Sequence, residues 1–442
     1  VVSSQHAQPF TPEPYVKFTH PEWSKNAVIY QVNTRQYSQQ GSFAAVTADL
    51  PRIKALGADI VWLMPIHPIG EKHRKGTLGS PYSVRDYIGV NPEFGTLADL
   101  QALVKRAHQL GMYVLLDWVA NHTAWDHPWV TSHPEWYAKD HNGTFRPSPW
   151  WDWHDIIELD YDVPALRKEM INAMCYWVEQ ADIDGFRCDV AGYVPNDFWR
   201  QARAALMKRK HVFMLAEWEA RDLHEYAFDM TYAWSWNEAM HAIAHGRAHI
   251  HAIYKYYSWN ERAYPRQAYR MTFVSNHDKN AWDGTQYEQF GDMLEAAIVL
   301  SVIGEGMPLI HNGQEAGESK RLAFFEKDLI DWQPHSIGEL YQHLIALKKR
   351  TPALWNGEYG ARMIHIPNSQ PDEVLSFVRQ QDGQKVLTVL NFSSQRLSVS
   401  FDDALAYGQY AEELRSTQIS VAQGTSLTLA PWDYHVFVGD AG

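Results

Sequence analysis

Cysteine is scarce in this chain. Two residues of 442, Cys175 and Cys188, are too few for a disulfide framework and have no zinc-ligand spacing. One falls in a helix-patterned stretch and the other in the strand-patterned stretch that follows, so both read as buried free thiols. Long apolar runs are missing as well: no window approaches the ~18 consecutive apolar residues of a membrane span. Positive charge is in deficit. The 39 Lys and Arg against 52 Asp and Glu leave a net charge of −13, which argues against nucleic acid or an anionic membrane as the main partner. There is no heptad array and no long polar tract. The opening VVSSQHAQPFTPEP has neither a basic n-region nor an apolar h-region, so no signal peptide is visible; such a polar start fits what is left after one is removed.

Aromatics are abundant. The chain holds 19 Trp and 23 Tyr, whose flat faces suit sugar rings as well as ordinary cores. Its length fits a large barrel with a smaller appendage. Apolar, β-branched runs recur: AVIYQVN from Ala27, DIVWLMP from Asp59, MYVLLDWV from Met112, DIDGFRCDV from Asp182, HVFMLAEW from His211, AFDMTY from Ala227, RMTFVSN from Arg270 and MPLIHNG from Met307. Each reads as a buried strand, and several are separated by helix-period segments such as TLADLQALVKRAHQLG. The glycines after KALG and HQLG stand at helix C-caps. Alternating strands and helices predict an α/β fold, a (β/α)8 TIM barrel whose catalytic residues gather at the C-terminal strand ends.

Two departures from a bare barrel are visible. After the third strand the chain runs through NHTAWDHPWVTSHPEWYAKDHNGTFRPSPWWDWHDIIELDYD without helical period, an insertion placed to form a cleft wall. From about Thr351 short alternating strands predict a C-terminal all-β sandwich. The expected domains are residues 1–122 and 161–350 for the catalytic barrel, 123–160 for the short insertion, and 351–442 for the sandwich.

Charged residues cluster at the predicted strand ends. Strand three supplies Asp117, Asn121 and His122; strand four Arg187 and Asp189; strand five Glu217; strand seven His277 and Asp278. A lone buried Arg/Asp pair is often structural, but this set on one rim is hard to read as solvated surface. Three carboxyls with one arginine suit glycoside hydrolysis, where one carboxyl protonates the leaving oxygen and another attacks the anomeric carbon. Crowding raises one carboxyl's pKa to make the acid, while the arginine keeps another ionised.

In order and spacing, DWVANH, GFRCDV, the glutamate of LAEW and FVSNHD resemble the conserved regions of the α-amylase family, glycoside hydrolase family 13. The resemblance runs from about Ala27 to HNGQEAG, and the β-rich tail resembles that family's C-terminal sandwich. It implies Asp189 as nucleophile, Glu217 as general acid/base and Asp278 as transition-state stabiliser, in a retaining mechanism with acid and nucleophile about 5–5.5 Å apart. Arg187, His122 and His277 match positions that orient the nucleophile and grip the ring. Tyr82 and Asp86, in GSPYSVRDYIGVNPEFGT, resemble the loop after strand two that stacks on the same ring, and Trp218 beside Glu217 is a further substrate-binding candidate. The implied substrate partner is an α-glucan, starch or maltooligosaccharide cut at α-1,4 bonds, and a secreted or periplasmic location follows from it.

Departures matter too. Family members often carry Lys and His three and four residues past the nucleophile; here stand Gly192 and Tyr193. That implies an altered leaving-group side and weakens the case for structural calcium, for which Asn121 remains a candidate ligand. The chemistry requires no cofactor. Val190 also occurs in relatives acting on α-1,6 bonds, which leaves the linkage open; a glucan transferase or sucrose-type enzyme on the same residues, where an acceptor sugar outcompetes water, stays open too, as does, more remotely, a non-catalytic binding homologue. Trp150, Trp151 and Trp153 read equally as sugar platforms or as the insertion's own core. His241 and His245, with no carboxylate between them, read as a solvated helix face, and GEKHRKGTLGS as a flexible cleft edge.

Overall fold

The computed structural model describes residues 9–148 and 150–441, so the opening residues up to Gln8 lie outside it. All eight apolar runs are strands: β1 Ile29–Val32, β2 Ile60–Leu63, β3 Tyr113–Trp118, β4 Gly185–Cys188, β5 Phe213–Ala216, β6 Met230–Tyr232, β7 Tyr269–Phe273 and β8 Met307–His311. They close into a parallel barrel in sequence order, β8 pairing with β1 through Tyr30 and Ile310. The strands are apolar on both faces because both are covered. Inward-facing Ile29, Trp62, Leu115, Leu215, Tyr232 and Met271 fill the interior, and the outward set packs under the helices.

Local chemistry fixes where the helices begin and end. Thr96 and Asp99 form a capping box at the start of Leu97–Gln109, and Pro164 opens Pro164–Ala181 at a position that needs no N–H. Gly57 at the end of Phe43–Leu56 has φ 120°, open to glycine alone at no cost. Gly185 serves a different need: a Cβ there would lie 1.8 Å from the Phe213 carbonyl, so only glycine lets β4 pair with β5.

The insertion after β3 is anchored by an antiparallel ribbon of His122–Ala124 with Ile156–Glu158. The barrel's last helix ends at Arg350, and strands resume at Ile364. Beyond, a six-stranded antiparallel sheet faces a two-stranded one, with Val378, Leu387, Val399, Leu427 and Phe437 between the layers. Asp382 and Gly383, both at positive φ, turn the Val374–Gln381/Gln384–Asn391 hairpin. Arg379 of that hairpin is buried and donates to the carbonyls of Ile303 (2.9 Å), Gly304 (3.1 Å), Trp355 (3.2 Å) and Ala361 (2.9 Å), tying the sandwich to the barrel. Cys175 and Cys188 are free and buried. No helix among the described residues is long and apolar enough to cross a membrane.

Candidate active site

Parallel pairing carries the backbone one residue past the ends of β4 and β5: Asp189 N–H donates to Trp118 O (2.9 Å) and Glu217 N–H to Cys188 O (2.9 Å). This register aims both carboxyls into the barrel mouth. Arg187, one pleat below and fully buried, organises them. Its Nη1 donates to Asp117 (3.0 Å) and Asp189 (2.9 Å), its Nη2 lies 3.4 Å from Glu217, and Nε and Nη2 reach the Tyr232 hydroxyl at 3.1 and 3.0 Å. The guanidinium also lies over the Trp62 ring, 4.7 Å from its centroid. Asp117 is fixed from its other oxygen by Trp62 Nε1 (2.9 Å) and the Tyr82 hydroxyl (2.7 Å).

Val190 turns the chain just after Asp189 at φ 36°, ψ 49°, a left-handed conformation that a β-branched residue adopts only under constraint. The constraint is visible: its N–H donates to Glu217 Oε1 at 2.8 Å, which also fixes that carboxyl.

Burial lifts Glu217 to about 8 against the pull of Arg187, with Asp189 and Asp278 adding to the rise. Asp189 rises to about 6, again chiefly by burial, with Arg187 opposing. Asp278 is raised by burial too. The group held most closely by the guanidinium is therefore the more acidic, and the one less held keeps its proton near neutrality. Burial lowers His122 to about 4 and His277 well below its usual value, so both rings are neutral hydrogen-bonding partners.

These side chains border a cavity of about 440 Å³, within the ~300–1,000 Å³ range of small-ligand sites. Tyr82 lies nearly parallel to His277 (5.3 Å, 15°), and His277 is fixed by Gln31 (2.6 Å). His122 contacts the Tyr82 carbonyl at 3.2 Å. Asp189, Glu217, Asp278, His122, His277 and Tyr82 all line the cavity, whereas Arg187 lies beneath it. Asp86 stands apart: its carboxylate accepts from the Ile88 N–H (3.0 Å) and shapes the turn to Gly89. Trp218 stacks behind the rim, 5.2 Å from Tyr193 and over Gly192, where a Cβ would come within 2.0 Å of the indole. Gly192 and Trp218 are thus one fitted pair.

Trp151 and Trp153 line the cavity, and Trp151 Nε1 reaches the Tyr193 hydroxyl (3.2 Å); Trp150 is exposed to solvent. The basic run after β2 is less free than a flexible edge, since Lys75 reaches the cavity. His241 and His245 stack on each other, and Arg247 bonds His241 (2.9 Å). Sequence reasoning missed Gln31, Trp62, Tyr232, Asp155, Trp282 and Phe324. Gln31, a lone polar residue inside an apolar strand, was the one with a readable signal.

Calcium prefers six to eight oxygens, several from carboxylates. The Asn121 side-chain Nδ2 lies 3.1 Å from His122 Nδ1, and the Asn121 backbone carbonyl accepts from Leu159 N–H (3.0 Å). Among the described residues no group of three or more His, Cys, Asp or Glu converges to hold a metal.

Comparison with known proteins agrees with the geometry. The family model for the alpha-amylase catalytic domain matches residues 24–363, and that for the maltogenic amylase C-terminal domain matches 364–436. The alpha-amylase MalA of Haloarcula japonica is 26% identical over 401 residues, covering 86% of this chain and 57% of that protein. An alpha-1,4-glucan:maltose-1-phosphate maltosyltransferase of Bifidobacterium longum is 29% identical over 385 residues, covering 77% and 48%. The chain thus spans about half the length of these curated relatives. The crystal structure of a maltogenic alpha-amylase, AmyB, from Thermotoga neapolitana superposes with TM-score 0.86 at 33% identity over 95% of this chain and 100% of that one. An alpha-amylase from Lactobacillus plantarum gives 0.83 at 33% identity over 94% and 99%. With its catalytic barrel and its C-terminal domain both matched, the chain belongs to the α-amylase family.

Proposed function

We propose that the protein is a retaining α-glucan hydrolase that cleaves α-1,4 bonds of starch or maltooligosaccharides through a glycosyl–Asp189 intermediate. The observation that carries this reading is the single guanidinium contacting both Asp189 (2.9 Å) and Glu217 (3.4 Å). Two carboxyls sharing one planar group suit direct attack, for which a retaining enzyme sets them about 5–5.5 Å apart.

Glu217, lifted to about 8, supplies the proton to the leaving oxygen. Asp189, lower at about 6 and in contact with Arg187, is ionised at neutral pH and attacks the anomeric carbon. Glu217, now a carboxylate, then takes a proton from the water that hydrolyses the ester, which restores both groups. Asp278 accepts hydrogen bonds from the ring's hydroxyls and stabilises its developing positive charge. Tyr82 offers the ring a flat face, and neutral His122 and His277 exchange hydrogen bonds with its hydroxyls. No cofactor enters the scheme. For action on external starch we further propose a secreted or periplasmic location.

Transfer to a second sugar is the alternative on the same residues. The aromatic group of Tyr193, Trp151 and Trp218 on the leaving-group side offers an acceptor ring a place to stack, and one relative is named a maltosyltransferase. The experiment is a time course on maltoheptaose, resolved by chain length, beside an isomaltooligosaccharide. Shorter maltooligosaccharides from the first minutes support hydrolysis at α-1,4 bonds. Products longer than the substrate move the assignment to transfer, and cleavage of the α-1,6 sample alone refutes the linkage.

A further inference from the structure

Gln31 interrupts β1, whose other residues are Ile29, Tyr30 and Val32, all fully buried. It shares the inward face of Ile29, two residues before it, and pairs in register with Trp62 on one side and His311 on the other. An amide is costly there: its Oε1 has no hydrogen-bond partner among the described residues, a penalty that an apolar side chain of the same length avoids. What the amide does make is one bond, between its Nε2 and His277 Nδ1 at 2.6 Å.

That bond decides where the imidazole keeps its proton. An amide nitrogen donates and does not accept, so Nδ1 presents its lone pair, and in a neutral ring the proton then sits on Nε2. Burial keeps the ring neutral. The opposite edge agrees: Nε2 lies 3.4 Å from Asp278 Oδ2, and the other tautomer would set two lone pairs against each other. The ring is also held against rotation. Tyr82 and Phe324 lie at 15° and 29° to it, with centroids 5.3 and 6.2 Å away, and Trp62 meets it edge-on at 5.9 Å.

We propose that Gln31 is a positioning residue that holds the proton of His277 on Nε2, making this ring a hydrogen-bond donor to a sugar hydroxyl that in turn donates to Asp278. The inference rests on the hydrolase reading above. His277 and Asp278 line the cavity and Gln31 does not, so Gln31 acts through the imidazole alone. A hydroxyl has a single proton to give. Between a carboxylate that accepts and an imidazole that donates, it satisfies both. With the proton on Nδ1 instead, both neighbours would demand that one proton, and one of the two bonds would be lost.

The test reads the tautomer directly, by NMR of the whole protein labelled with heavy nitrogen in its histidine rings, the His277 signals being identified by their loss in His277→Phe. The wild type is expected to carry the proton on Nε2. Gln31→Glu has the same shape, but its ionised carboxylate only accepts, so in neutral to alkaline buffer it is expected to draw the proton to Nδ1. On maltoheptaose that variant is expected to lose about tenfold or more in kcat/KM. Gln31→Met, which removes the donor without reversing it, is expected to lose less, and to cost nothing further when added to His277→Phe. A proton on Nδ1 in the wild type overturns the proposal, and so does an equal loss from Gln31→Met in both backgrounds, the mark of a role in folding alone. If Gln31→Glu does not fold, the wild-type spectrum and the Gln31→Met cycle still decide. No cleavage of maltoheptaose by the wild type is a different result: it refutes the hydrolase reading, while the spectrum reports on the tautomer as before.

Discussion

At Asp189 and Glu217 two forces of opposite sign meet on each carboxyl. Burial raises both, Arg187 pulls both back, and the outcome is about 6 for Asp189 and about 8 for Glu217. The kcat/KM profile of the wild type should accordingly rise through the ionisation of Asp189 and fall through that of Glu217, with its maximum between those values. Glu217→Gln should lower turnover and abolish the alkaline limb, which a pH–rate series with an activated glycoside checks. The same shift is a statement about stability. A carboxyl raised above its unfolded value binds its proton more tightly when folded, so its contribution is present at low pH and lost as pH rises through about 8. Urea midpoints of Glu217→Gln should therefore gain on the wild type between about pH 5 and pH 8. Asp189→Asn should leave the fold intact and cut hydrolysis on the order of 10⁴-fold or more, the scale seen when a nucleophile is removed; substantial residual turnover of a natural glucan would refute its role. The carboxyls themselves were legible in the sequence, because each closes an apolar run. Trp62 and Tyr232 were not: their partner Arg187 belongs to another strand, and their residue types look like core.

Between elements, the loops after β4 and β5 fit each other at a single point. Gly192 stands where many family members have lysine, and the Trp218 indole fills the space a side chain would take. Gly192→Ala should displace Trp218 and lower kcat/KM on maltooligosaccharides by roughly tenfold, about 1.4 kcal/mol. Because the effect acts through the indole, adding Trp218→Ala should cost nothing further, and a double-mutant cycle measures that non-additivity. Element identity was largely readable. Eight strands, the glycines that end the helices and the Asp-Gly hairpin turn follow from short-range patterns that act before any tertiary contact forms. Elements that meet only in space were not. Lys75 lies in a run that reads as a flexible edge, and nothing near it in sequence points to Asp152. Asp86 shows the reverse case, where a motif position implies a cleft contact and the side chain instead caps its own turn.

Across the whole molecule, barrel and sandwich are joined through a buried arginine. Arg379 donates to four carbonyls contributed by the barrel side and the connecting segment. Removing it takes the donor from two buried carbonyls, those of Ile303 and Gly304, and from two part-buried ones, at about 1–3 kcal/mol for each buried acceptor left unpaired. Arg379→Ala should destabilise the protein by roughly 3 kcal/mol or more and split a single calorimetric transition into two; a wild-type-like endotherm would show that the interface stands without it. What the sequence by itself determined was the barrel, its strand order, the sandwich that follows and the rim carboxyls, since apolar period, turn residues and strand-end chemistry are local properties of the chain. Only the tertiary structure decided which carboxyl is the more acidic and which tryptophans face the cavity. Those outcomes depend on burial and on distances between residues far apart in sequence, and both come into being when the barrel closes.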